Sequence, residues 1–555
     1  MDSLDVVLEN AKRHHTCGKL DIAERYYQQI LSTFPTHFEA LWRYGSLKLQ
    51  QGQSDIAIEA LEKAIQCDFN EPSAWSNLAI AYSEVGRDID AGAAHERACA
   101  LAPDRAAILN NFGNWLATNG KPEEAITLLK SAIRCNPVES DYYANLALAM
   151  SKTGQFLDAL RYYTHALALN PKSSRGWFGL GNVNLDLCNM EIARGCFQRA
   201  LELSPANHQA QLNLGAALAN LGRFDEADDQ YNAVLSRFPG DVKARYNLAH
   251  NRLRRGDFSR GWVEYDDSRY DAMKRGQFQY SGNAKRWRGE SIANRRLLLV
   301  GEQGFGDQIQ FIRYAKLLND AGAIVDAWCD KPLHNIFERV GGVTRVFSSH
   351  PPDGHDFWVP LLSAPRFIDR PENHIPCDIP YIRASSDSIR KWRALFPDAP
   401  ASRPRIGITW AGNPKFKNDI FRSMHLRTLI SLIEAIPATW VAVQKDWREE
   451  DALVAADDFR MVDPSQHLHD FNDTAGLVQH LDLIISVDTS VAHLAGAMGK
   501  PVWIMVPLNS DWRWQLNRSD SPWYSTARLF RQKTLGQWDD VVIAIANALK
   551  EFQGG

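Results

Sequence analysis

The stretch "NLAIAYSEVGRDIDAGAAHERACALAP", residues 77–103, carries the plan of the first half of the chain. Ala79 stands twelve residues before Ala91, Pro103 stands twelve residues after it, and Gly86 falls between the two alanines. Two antiparallel helices approach closely only where their side chains are small, which suits Ala79 and Ala91 to a crossing point. Glycine can take the left-handed turn that ends a helix, and proline cannot continue a helix interior, so Gly86 and Pro103 punctuate the unit. The stretch predicts a helix–turn–helix hairpin.

Outward from it, the first small position recurs every 34 residues, at Ala11, Gly45, Ala79, Gly113, Ala147, Gly181, Gly215 and Ala249. The second runs in the same step from Ala23 to Ala227 and then Gly261; Cys188 replaces the turn glycine once, and Phe69 the proline once. A fixed step held this long is a repeat array. It resembles the tetratricopeptide repeat, with seven full units and a partial eighth over residues 3–275. Two positions before the small residue of the first helix stand Asn77, Asn111, Asn145, Asn213 and Asn247, with Arg43 and Gly179 in two other repeats. A carboxamide both donates and accepts, so such a ladder suits an extended polypeptide backbone; ordinary usage at this repeat position is the alternative. The array also resembles the repeat half of the O-linked N-acetylglucosamine transferase, which implies that the asparagines hold an acceptor protein. Asp88-Ile89-Asp90 looks like a metal motif, yet it opens a second helix, where carboxylates favour the dipole, so no metal is expected there.

The whole chain has 555 residues, a formal net charge of −4 and eight cysteines without metal-ligand spacing. The charge gives no reason to expect nucleic acid as a partner. The cysteine pattern suits a reducing cytoplasm. No apolar leader and no long apolar run is seen, so neither a signal peptide nor a transmembrane segment is expected.

After about residue 290 the period stops and apolar runs alternate with helical patterns, at 295–300, 323–329, 405–410, 440–444, 481–487 and 501–506. Alternation of this kind predicts parallel sheets with helices on both faces. The expected fold class is therefore an all-α superhelix followed by two doubly wound α/β lobes. The expected divisions are a repeat array at 3–275, a linker at 276–293, lobes at 294–385 and 404–535 joined by a linker at 386–403, and a final helix within 536–555.

Three loops carry candidate chemistry. "GEQGFGDQIQ", 301–310, has Gly304 and Gly306 for a tight turn and Asp307 where a phosphate-binding loop has lysine. That carboxylate suits a general base or, equally simply, an acidic helix start. "WAGNPKFKNDIFRS", 410–423, turns at Asn413 and offers Lys417 and Arg422 just beyond a strand. In "SVDTSVAHLAGAMGKPVW", 486–503, Asp488, Thr489 and Ser490 begin a helix and His493 lies one turn on, a place to hold an anion or simply a well-capped helix.

With these loops in view, residues 294–550 resemble the ADP-heptose:lipopolysaccharide heptosyltransferase family, which has the GT-B fold. The resemblance rests on Gly306–Asp307 and on "DTSVAH", with Asp488, Thr489 and His493. It implies a metal-independent, inverting glycosyltransferase that needs no cofactor and takes a nucleotide-diphosphate sugar as co-substrate. Asp307 would be the base, and Gly304, Gly306, Asn413, Lys417, Arg422, Asp488, Thr489, Ser490 and His493 would bind the donor. The acceptor is expected to be a protein in the repeat groove. A saccharide acceptor, or a repeat scaffold carrying an inactive sugar-nucleotide domain, is the alternative. Trp512 and Trp514 either wall the cleft or fill the core.

Overall fold

The computed structural model describes residues 4–272, 280, 282–368, 375–395, 403–414, 419–456 and 461–552. It divides into two compact units, Met1–Leu214 and Gly215–Gly555. The chain is a helical repeat array followed by an α/β region with two parallel sheets.

Sixteen helices run between Leu4 and Ala272, and seven of the first helices pack on the second helix that follows them. The alanines at the small positions, Ala11, Ala23, Ala57, Ala79 and Ala91 among them, are completely buried. Where glycine replaces alanine, the contact is closer still. A Cβ on Gly45, Gly113 or Gly181 would come within 2.6 Å of Leu61, Leu129 or Phe197. The turn glycines, from Gly18 (φ 71°) to Gly256 (φ 84°), are left-handed, and Cys188 takes the same conformation with φ 62°. An L side chain in that region is strained, so Cys188→Gly is expected to raise stability by about 1 kcal/mol, read as a higher urea midpoint.

The strands are β1 (Lys285–Arg286), β2 (Arg296–Val300), β3 (Ile324–Trp328), β4 (Val343–Phe347), β5 (Phe357–Pro360), β6 (Arg405–Thr409), β7 (Thr439–Ala442), β8 (Met461–Val462), β9 (Leu483–Val487), β10 (Val502–Val506) and β11 (Ala527–Arg531). The sheet orders are β1-β5-β2-β3-β4 and β11-β10-β9-β6-β7-β8, with every pair parallel. All six apolar runs of the sequence are strands. β9 and β10 are buried along their whole length, as expected of parallel strands covered on both faces. In each sheet the strand order reverses once, between β2 and β5 and between β6 and β9. Such reversals open a crevice at the carboxyl ends of the strands. The three candidate loops follow β2, β6 and β9.

The last helices of the array share a core with the sheets. Leu253, Phe258, Trp262 and Tyr265 lie in one cluster with Leu297 and Leu299 of β2 and with Trp512 and Trp523. Arg254 donates to the carbonyl of Ser510 at 2.8 and 3.0 Å. Trp512 and Trp514 are fully buried, which settles them as core.

Candidate functional site

The α/β loops come together, but around a buried arginine paired with two half-buried carboxylates. The helix Phe305–Phe311 packs on the helix Ser490–Ala497 through Gly306, where a Cβ would meet His493 at 2.8 Å. Asp307 accepts from the backbone N–H of Gly304 at 2.9 Å and pairs with Arg513. Arg513 also bonds Asp511 at 2.8 Å, and it is only 5% exposed. Asp307 therefore caps its helix and balances a buried guanidinium.

His493 is buried, bonds the Tyr524 hydroxyl at 2.9 Å and stacks on Trp514 with centroids 5.3 Å apart. Burial, reinforced by the charge of Arg513, pushes its imidazole down to about 3, so it is neutral at neutral pH. Burial pushes the Asp488 carboxyl up to about 6, with the charge of Asp511 adding to the effect and Arg422 opposing it. Thr489 bonds Ser486 at 3.0 Å, and Ser490 is half-buried. Arg422 donates to the carbonyl of Asp488 at 3.0 Å and to Asp419 at 3.1 Å. Asn413 is exposed, and Lys417 lies outside the described residues.

Sequence reasoning missed Asp511, Arg513, Tyr524 and Asp419. The first three lie in "DWRWQLNRSDSPWY", 511–524, in which roles were weighed for Trp512 and Trp514 and for no charged residue. Among the described residues no cluster of His, Cys, Asp or Glu is arranged to hold a metal ion. Asp88 begins the helix Asp88–Leu101, and Asp90 pairs with Arg87.

In the first unit, the first helices of successive pairs lie side by side in one layer. The asparagine ladder sits on that layer and is bonded within it. Asn111 donates to Ser76 at 3.2 Å, Asn145 to Asn110 at 2.8 Å and Asn213 to Asn182 at 2.7 Å. Asn77 is half-buried, and Asn247, in the second unit, bonds Tyr231. Gly179 interrupts the ladder because the Tyr163 ring occupies its side-chain space, 2.3 Å from where a Cβ would stand. Arg175, one turn before Gly179, fills the gap. It donates to Asn145 at 2.6 Å and to Asn114 at 3.0 Å. Asn145, only 2% exposed, thus links two neighbours. Asn145→Ala is expected to lower the stability of the first unit by about 1 kcal/mol, seen as an earlier urea transition of its helical signal.

Two families match. A tetratricopeptide repeat family matches residues 189–242 and 217–265. The bacterial transcriptional activator domain matches residues 35–170. Among curated relatives, "Protein FlbA" of Caulobacter vibrioides is 25% identical over 90% of this chain and 86% of its own length. The peroxisomal targeting signal receptor of Candida albicans is 29% identical, over 42% of this chain and 35% of its own length. Among solved structures, Pseudomonas aeruginosa PilF shares 21% identity, with 38% of this chain and 96% of that chain covered and a TM-score of 0.34.

These findings overturn the expectation of a nucleotide-sugar glycosyltransferase related to the heptosyltransferases and the O-linked N-acetylglucosamine transferase. The matched families are a helical repeat and a transcriptional activator domain, and FlbA is a relative that spans most of the chain. With the enzyme reading goes the nucleotide sugar as co-substrate and the acceptor protein as partner. The expectation of no nucleic-acid partner goes too, since it rested on net charge alone and the activator-domain match points the other way. Among the described residues no helix is long and apolar enough to cross a membrane.

Proposed function

We propose that this chain is a regulatory docking protein that acts through a DNA-associated protein partner. The observation that carries this reading is the match of residues 35–170 to a bacterial transcriptional activator domain. That segment contains the helices from Phe38–Gln50 to Phe156–Leu169, and so Asn77, Asn111 and Asn145. We read the array as a tetratricopeptide superhelix whose inner face is the layer of first helices, and the two sheets as doubly wound lobes. A layer of carboxamides suits the backbone of a partner segment, because each amide can donate and accept at once. The name of the peroxisomal targeting signal receptor is consistent with recognition of a protein segment by such an array. Eight free cysteines fit a reducing cytoplasmic setting.

The test joins a crosslink to a transcript profile. A photo-crosslinking residue at Asn77, in cells that carry or lack the chain, should trap a protein that copurifies with DNA. A defined set of transcripts should shift between the two strains. Unchanged transcripts, or crosslinks only to proteins that do not associate with DNA, overturn the reading.

A further inference from the structure

The inner arginines of the first unit are balanced unequally. Arg43, at a ladder position, pairs with Glu39 at 2.9 Å and lies over the Trp42 ring. Arg175 has two carboxamide oxygens as its partners, those of Asn114 and Asn145. Among the described residues no carboxylate pairs with it. It is exposed, while Asn145 beneath it is buried and anchored on Asn110. Two neutral oxygens orient one edge of the guanidinium without cancelling its charge. A guanidinium has five donors in a planar fork, so the rest of the fork remains matched to a carboxylate.

The surroundings say what kind of carboxylate. Asn111 and Asn145 lie on the repeats before Arg175, and Asn182 and Asn213 on its own repeat and the next. Carboxamides therefore flank the charge on both sides along the layer. Neighbouring helices are about 8–10 Å apart, roughly the span of three residues of extended chain. A strand laid across the layer would meet carboxamides before and after the guanidinium.

We propose that Arg175, held by Asn114 and Asn145, is a recognition site for an acidic side chain within an extended segment of a protein partner. This inference rests on the docking reading and names the chemistry of its partner. The chain continues in both directions past the charge, so the carboxylate belongs to an internal aspartate or glutamate.

The experiment uses the full chain and pools of nonapeptides, acetylated and amidated so that their ends are uncharged. All positions are randomised except the centre, fixed as Glu, Gln or Lys. A fourth pool has Gln at the centre and a free terminal carboxylate. The Glu pool should bind at least fivefold better than the Gln pool, and Arg175→Gln should erase that preference while its helical signal at the assay temperature stays that of the parent. Arg175→Glu should turn the preference toward the Lys pool. Equal binding of the Glu and Gln pools, no binding of any pool, or an acidic preference that survives in Arg175→Gln overturns the proposal. So does a free-carboxylate pool that binds as well as the Glu pool, since it makes the ligand a chain terminus. None of these failures removes the transcript shift and the DNA-associated crosslink, which test docking alone.

Discussion

Replacing Arg513 by leucine is expected to destabilise the second unit by about 3–5 kcal/mol, the usual result of removing one partner from a buried ion pair. The guanidinium is 5% exposed and meets Asp307, Asp511 and Gln310. Burial alone would raise the Asp511 carboxyl, but the charge of Arg513 outweighs it and holds the group near 2. Leucine would leave two half-buried carboxylates side by side with their counter-charge gone. Urea unfolding followed by tryptophan fluorescence measures the loss, because Trp512 and Trp514 flank the arginine. Adding Asp307→Asn to Arg513→Leu should recover part of it, since one stranded charge is then removed. A loss below about 1 kcal/mol would mean that water reaches the cluster and screens it.

The second large effect is acid sensitivity centred on buried neutral histidines. Burial pushes His95 down to about 4 and His493 to about 3. An unfolded histidine titrates near 6.5. Between these values the unfolded chain binds protons that the folded chain refuses, so stability is whole above pH 6.5 and falls as the pH drops. The slope is about 1.4 kcal/mol per pH unit for each histidine, or about 2 kcal/mol each by pH 5. Asp488 has the opposite sign. Its folded carboxyl titrates near 6, above the unfolded value, so acidification through that range favours the folded state and offsets part of the His493 loss. His95 gives the cleaner measurement. It stacks on Phe112 with centroids 5.4 Å apart, and among the described residues its Nδ1 has no hydrogen-bond partner. His95→Phe keeps the ring and removes the titration. Its urea midpoint should pull ahead of the parent as pH falls from 7 to 5; a constant gap would refute the assignment.

Much of the fold was legible because it is local. The 34-residue step encodes helix crossings through residues whose smallness is visible in the letters, and Ala79 or Gly113 needs no knowledge of distant partners. The runs that became β2, β3, β6, β7, β9 and β10 were equally plain. The strands that escaped are short or mixed in polarity: β4, "VTRVF", has no fully buried residue, and β1 has two residues. The candidate site was legible in position and not in chemistry. The three loops do lie at the strand-order reversals. The charge that decides what Asp307 does comes from Arg513, 206 residues along the chain. Likewise, nothing in a ladder of asparagines announces that Tyr163 fills the space at Gly179 or that Arg175 stands in the interruption.

The last helical pairs have lost the freedom that repeats ordinarily have to multiply. Copies can be gained or lost upstream of Leu214, because each hairpin there completes its own interior with its neighbours. Phe258, Trp262 and Tyr265 instead belong to the hydrophobic interior of the parallel sheets. Length variation among descendants of this chain is therefore expected to accumulate before that residue, with Val242–Arg254 and the helix after it inherited as fixed parts of the α/β body.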